Sequence, residues 1–169
     1  MNKKYSIGII YGIAGALIYS ILLYLRYTRF ARNPETFGVF ATFSYFAILV
    51  FFFFAARARK MQTGGIATFR EIFQSLLLTI LITECGYAIF NMVYLHRINP
   101  LFFEQFRENT RLMLTKAGVE KEKIDVQLSG FDNMTVQYTI ANILKGLGMW
   151  MLIDCIFGVL YASVLKKSK

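Results

Sequence analysis

The sequence IFQSLLLTILITECGYAIFNMVYL, residues Ile72 to Leu95, decides the fold. As an α-helix its 24 residues would be roughly 36 Å long, against a bilayer hydrocarbon core of about 30 Å. The stretch carries one acid, Glu84, at its centre. An acid at that depth costs roughly 2.5 to 3.5 kcal/mol even on mild insertion scales, so Glu84 needs a structural or functional explanation.

Composition extends the membrane interpretation to the whole chain. The protein has 169 residues, of which 56% are hydrophobic and 17% aromatic, and the apolar residues fall into four blocks. We therefore predict an all-α polytopic membrane protein with a single domain over 1–169. The predicted transmembrane spans are about 5–25, 38–56, 72–95 and 143–165.

The long polar segment between the last two spans, about 99–133, is predicted to form an amphipathic helical hairpin. Asn99 is a good N-cap, Pro100 a good first helical residue, and Gly118 a helix stop. A second, charged helix is expected from Glu120 to Leu128. The hairpin could lie on the membrane or against a partner, and a plain surface connector is the alternative.

The charge pattern indicates topology and lipid rather than nucleic acid. The net charge is +9, but the bases flank the apolar blocks and no nucleic-acid motif is present. The side that carries both termini and the 57–70 loop has nine bases with Glu71 as the only nearby acid, whereas the long loop on the other side has six bases among six acids. This modest bias predicts cytoplasmic termini in a bacterial inner membrane. The loop bases are expected to contact headgroups or phosphates: Arg57, Arg59, Lys60 and Arg70.

Small residues form stripes on the first and last spans. Gly8, Gly12, Ala16 and Ser20 recur every four residues, and Gly158 and Ala162 do so near the end of the chain. Such stripes let a second helix approach closely. They predict helix packing or a partner interface, and the partner helix could belong to this chain or to another.

Two acids are expected at about the same depth, because Glu84 and Asp154 each lie at the centre of a span. Two carboxylates cannot both be charged cheaply in a low dielectric, so the pair could share a proton or bind a cation. The alternative is interhelical hydrogen bonding or a subunit contact, worth about 1 kcal/mol. Asn91 adds a further polar group to the third span.

Neither a metal site nor a catalytic site is predicted. Cys85 and Cys155 each follow one of the acids, but adjacent helical residues point about 100° apart, so four ligands would not converge. His96 is the only histidine and has no partner nucleophile in the pattern. We expect no cofactor and no enzymatic activity.

Several motifs resemble a known family. They are RKMQTGGIATFREIF before the third span, with Gly64, Gly65 and Phe69, and RINPLFFEQF after it, with Ile98-Asn99-Pro100. Together with the charged hairpin and the Gly-rich last span, they resemble domain of unknown function family 4199, small four-helix membrane proteins found mainly in Bacteroidota. The family has no assigned activity. Its genes often lie beside a glycosyltransferase that loads sugars onto polyprenyl phosphate, which implies such an enzyme as a possible partner.

Two functions are therefore expected. The first is a non-catalytic accessory or scaffold subunit of an inner-membrane complex, with that glycosyltransferase as a candidate partner. The second is a small proton- or cation-coupled carrier that uses the intramembrane acids. Four spans leave little room for a pathway, so the carrier is expected to be a dimer packed through Gly8, Gly12 and Ala16.

Overall fold

The structure, a computed structural model, describes the backbone of residues 3–166 and the side chains of 6–129 and 138–166. It is all-helical, as predicted, and four of its helices are long and apolar enough to cross a membrane. The helices are α1 (Lys3–Thr28), α2 (Pro34–Gln62), α3 (Phe69–Val93), α4 (Phe102–Lys116), α5 (Lys121–Gln137) and α6 (Ile140–Leu165).

Local signals explain where α2 and α3 begin. Asn33 caps α2 by accepting a hydrogen bond from the backbone N–H of Glu35 at 2.8 Å, and Pro34 is its first residue. Thr68 and Glu71 form a reciprocal capping box at the start of α3. The loop before it turns through Gly64 at φ +68° and Gly65 at φ +82°, backbone angles that favour glycine.

Helix α3 is the centre of the bundle and contacts each of the other three long helices. Positions along α1 and α3 rise together, since Gly8 faces Ser75 and Gly12 faces Ile82, so these two helices are parallel. Helix α6 is antiparallel to α3, because Gly158 faces Ile80, the residue one turn before Glu84.

The packing of α2 completes an up–down–up–down bundle. Phe37 near its start is in ring contact with Tyr27 near the end of α1, whereas Phe51 contacts Tyr11, so α1 and α2 are antiparallel. One end of the bundle carries the start of α1, the end of α6 and the loop between α2 and α3. We call this the terminal end, and the opposite end, which carries α4 and α5, the hairpin end.

The hairpin end differs in detail from the sequence prediction. Asn99 and Pro100 do not start α4, which begins at Phe102 with Leu101 in the N-cap position. A π-helical turn, Tyr94–Ile98, continues α3, and the Asn99 N–H closes it by donating to the Tyr94 carbonyl at 2.8 Å. Asn99 is thus used to end one helix instead of beginning the next.

The two connecting helices follow the remaining predictions more closely. Helix α4 ends before Gly118 at φ +73°, as predicted. Helix α5 extends to Gln137, well past the predicted end at Leu128. Phe102 and Phe106 of α4 are buried, and both lie against Phe37 of α2.

Candidate functional site

The small-residue stripe of α1 packs against α3 within the chain. A Cβ on Gly12 would lie 2.7 Å from Ile82 Cβ, and one on Gly86 of α3 would lie 2.5 Å from Ala16 Cβ. The two backbones are therefore in close contact. Thr79 Oγ1 donates to the Gly8 carbonyl at 3.3 Å, which joins the helices further.

The stripe of α6 is also turned inward. Gly158 and Ala162 are buried, and Gly158 faces Ile80 and Phe73 of α3. Ser20, the last member of the α1 stripe, donates back to the Ala16 carbonyl of its own helix at 2.8 Å. The helix-packing prediction thus describes contacts inside one chain.

The predicted carrier dimer through Gly8, Gly12 and Ala16 is accordingly wrong in its interface. That face of α1 is already covered by Ser75, Ile82 and Gly86 of α3. A second copy could not reach it without displacing the central helix. Any dimer would have to use another surface.

Glu84 and Asp154 meet at the centre of the bundle, where α3 and α6 cross. Both are buried, with 3% and 0% of their surface exposed. Their carboxyl groups lie within reach of a side-chain hydrogen bond to one another. Tyr45 of α2 donates its hydroxyl to Asp154 Oδ1 at 3.2 Å. Equal depth was predictable, but the contact depends on helix rotations that only the structure provides.

The geometry of this acid pair favours one shared proton. Two ionised carboxylates are both acceptors, so a hydrogen bond between them forms only if one is protonated. Without that proton, Asp154 Oδ2 is buried and has no hydrogen-bond partner among the described groups. A neutral or singly charged pair also avoids burying two negative charges together. Within the same described residues, no group of three His, Cys, Asp or Glu side chains is placed to hold a metal ion.

A cavity of about 460 Å³ lies beside the acid pair and extends toward the hairpin end. Glu84, Tyr87 and Asn91 of α3 line one wall, and their spacing corresponds to about 10 Å along a helix. All four long helices contribute to the lining, together with Tyr138 just before α6. Its other residues are Tyr19, Arg26, Ala41, Thr42, Tyr45, Tyr138, Asn142, Ile143, Gly146, Leu147 and Trp150.

The cavity exists because α2 and α6 part toward the hairpin end. At the terminal end, Phe53 of α2 and Tyr161 of α6 are in ring contact at 5.6 Å. Beyond Tyr45, α2 and α6 instead line the cavity. A Cβ on Gly146 would meet nothing within 4 Å.

Aromatic pairs flank the cavity floor on two sides. The rings of Tyr19 and Tyr87 lie 4.8 Å apart, and those of Tyr45 and Trp150 lie 5.5 Å apart. Glu84 lines the cavity among these four residues. At the hairpin end the lining includes one basic residue among those described, Arg26, whose guanidinium lies 4.0 Å over the Phe37 ring.

Asn91 holds the upper wall of the cavity in place. It is 1% exposed, its side-chain oxygen accepts a hydrogen bond from the Tyr27 hydroxyl, and its amide donates to the Tyr87 carbonyl at 2.9 Å. The predicted interhelical polar contact at Asn91 is thus present, with Tyr27 of α1 as the partner. His96 lies farther out, where its Nε2 is 3.1 Å from the Tyr138 carbonyl.

The loop bases at the terminal end divide into two kinds. Arg57 and Arg70 are exposed and Lys60 is half-buried. Arg59 is only 6% exposed, and its guanidinium donates to Gln62 Oε1 at 2.5 Å. The prediction that Arg59 reaches lipid headgroups is therefore wrong, because its side chain folds back onto the last turn of α2.

The sequence reasoning missed the aromatic lining. Tyr19, Tyr45, Tyr87 and Trp150 come from four helices, and no local pattern joins them. One signal was available: Glu84, Tyr87 and Asn91 follow at i, i+3 and i+7, a polar stripe on one face of a spanning helix.

The fold and this site define a small four-helix protein whose long helices could cross a membrane and enclose a polar, aromatic cavity. Residues 6–167 match the family described as protein of unknown function (DUF4199), so the chain belongs to that family. No curated protein and no solved structure matches the chain.

Proposed function

We propose that the protein is a non-enzymatic, proton- or cation-coupled carrier in which Glu84 and Asp154 hold one proton beside a solute cavity. The observation that carries this proposal is the burial of the two acids against each other at the cavity floor. A purely structural hydrogen bond would not need a cavity next to it. Ionisable groups in the centre of a spanning bundle are typical of ion and proton pathways.

The proposed location is the bacterial inner membrane, with both termini in the cytoplasm. The excess of bases over acids at the terminal end, nine bases with Glu71 as the only nearby acid, supports this orientation. The cavity would then face the periplasmic half of the bilayer. In the second half of a transport cycle, α2 would close onto α6 at the hairpin end, and the two helices would separate at the terminal end.

Several titratable side chains surround the acid pair and would influence its proton. Tyr19 of α1, Tyr45 of α2 and Tyr87 of α3 interact electrostatically with Glu84, and Cys155 and Tyr161 of α6 interact with Asp154. All of these are neutral in their ordinary form. The acid pair is thus the only source of negative charge at the floor among the described residues.

Solute-linked proton movement in proteoliposomes tests the proposal. The vesicles contain a pH-sensitive dye and are challenged with sodium, potassium, small organic amines and small organic acids, against protein-free vesicles. We expect at least one solute to move protons with the wild type and with Glu108→Gln, an exposed acid of α4, but not with Glu84→Gln. Equal fluxes for Glu84→Gln and the wild type would contradict the proposal.

The accessory-subunit function stays a second proposal. Helices α4 and α5 at the hairpin end could bind another membrane protein, such as a polyprenyl-phosphate glycosyltransferase. The small-residue stripes do not support it, because α3 covers them. Stoichiometric co-purification with a second membrane protein in mild detergent, unchanged in Glu84→Gln, would favour this function over the carrier.

A further inference from the structure

We infer that the cavity binds an organic cation, a substituted ammonium with an apolar body, whose charged group lies at the floor beside Glu84. This inference rests on the proposed function and names the class of its solute. It goes beyond proton coupling because the acid pair alone would equally suit a small inorganic ion. The choice depends on the size and the lining of the cavity.

The lining of the floor fits a substituted ammonium better than a hydrated metal ion. Two aromatic pairs, Tyr19 with Tyr87 and Tyr45 with Trp150, line the same cavity as Glu84. Ring faces attract cations that have shed their water, and alkylated ammonium groups shed it most easily. Inorganic cations instead need several oxygen ligands around one point.

The volume and the walls of the cavity indicate the size and the apolar character of the remainder of the solute. About 460 Å³ is within the range of small-molecule pockets and far larger than one ion needs. Ile143, Leu147 and Ala41 supply apolar contacts above the floor. An apolar body attached to the ammonium would fill this part of the cavity.

The two charged ends of the cavity give the solute an orientation. Arg26 lines the hairpin end of the cavity, whereas Glu84 lies at the floor, and the guanidinium of Arg26 repels a second cation at the hairpin end. The ammonium group is therefore favoured at the floor, with the apolar body toward Arg26. A solute with positive charge at both ends is disfavoured.

Binding of a cation changes the proton balance of the acid pair. A pair that holds one proton has one negative charge for the ammonium, and loss of that proton leaves two. Bound cation therefore favours release of the proton, and linkage requires that protons weaken cation binding to the same extent. This reciprocity makes the cation and the proton competing occupants of one site.

The test compares two probes of equal shape. Benzyltrimethylammonium carries a permanent charge, and neopentylbenzene is its neutral isostere. Trp150, the only tryptophan of the chain, lies at the cavity floor, so its fluorescence reports occupancy in nanodiscs. Trp150→Phe with Leu160→Trp moves the reporter to an exposed position of α6 that does not line the cavity, and so measures partitioning into lipid.

We expect saturable binding of the cation at least about tenfold tighter than of the isostere, and up to about tenfold tighter per unit rise in pH. Glu84→Gln should weaken cation binding and abolish its pH dependence, while Glu108→Gln should change neither. Equal affinity for the two probes, or no saturable binding of the cation, overturns the inference. Proton flux that still depends on Glu84 would then leave the carrier standing with another solute, whereas flux independent of Glu84 would remove the carrier itself.

Discussion

Helix α3 has two contrasting sides. Toward α1 the backbones are in close contact, with Gly12, Gly86 and Ala16 leaving no room for a further methyl group. Toward the gap between α2 and α6 the same helix presents Glu84 and Tyr87 to an open cavity. The comparison teaches that small residues close one interface, whereas large aromatic and polar residues keep the other side open.

The largest expected effect on stability comes from disrupting the close packing of α3 against α1. Gly86→Ala places a Cβ 2.5 Å from Ala16 Cβ and 3.2 Å from its Cα, a backbone atom that cannot rotate away. We expect destabilisation of about 1–3 kcal/mol from overpacking. The measurement is the unfolding free energy in detergent or bilayer.

Gly148→Ala is the matched control for this substitution. A Cβ at Gly148 of α6 would meet nothing within 4 Å, and alanine is the better helix former. Gly148→Ala should therefore be neutral or stabilising. If both substitutions changed the unfolding free energy equally, the close approach of α1 and α3 would be incorrect.

A smaller effect is expected from uncoupling the acids. In a double-mutant cycle with Glu84→Leu and Asp154→Leu, the coupling energy should be about 1 kcal/mol, as for other buried hydrogen bonds between spanning helices. Glu84→Gln should keep most of the stability, because its amide can still donate to Asp154. Additive effects of the two leucine substitutions would show that the carboxyl groups do not interact.

Filling the open side should change binding without changing stability. Gly146→Leu projects into the cavity, where a Cβ has free space, so we expect a stability change within about 0.5 kcal/mol. Cation binding and solute-linked proton movement should fall at least about tenfold, because the side chain occupies solute volume. Gly148→Leu, on the exposed side of the same helix, should retain both. Retention in Gly146→Leu would mean that the solute lies elsewhere.

A modest effect on stability alone is expected at the terminal end, where α2 is closed against its neighbours. Arg59→Gln removes a buried guanidinium that bonds to Gln62 and should cost about 1 kcal/mol. Arg57→Gln, at an exposed position on the same helix, should stay within about 0.5 kcal/mol. Thermal unfolding of the two variants in one detergent compares them, and a reversed order would contradict the buried placement of Arg59.

The sequence was sufficient for the features that depend on position along one helix. Span length, the Thr68–Glu71 capping box and the equal depth of Glu84 and Asp154 each follow from local pattern. The stripe of Gly8, Gly12 and Ala16 predicted close packing for the same reason. The stripe could not reveal which helix packs against it, because small residues allow many different helices to approach closely.

The rest required helix rotations and crossing angles. Tyr45 lies 109 residues before Asp154 in the chain, and its hydroxyl reaches that carboxyl only because α2 and α6 converge there. Asn99 is a residue type that favours N-cap positions, but its backbone N–H instead closes the π-helical turn that ends α3. Arg59 looked like a loop base and is instead buried within the last turn of α2.

The most direct measurement of the central claim is infrared spectroscopy of the protonated carboxyl group in reconstituted membranes at neutral pH. The wild type should show the C=O stretch of a buried carboxylic acid that is absent from the double variant Glu84→Gln with Asp154→Asn. Addition of benzyltrimethylammonium should diminish that band as the proton leaves. If the wild type and the double variant gave the same carboxylic-acid spectrum, the two acids would hold no proton between them, and the account of the site would be wrong.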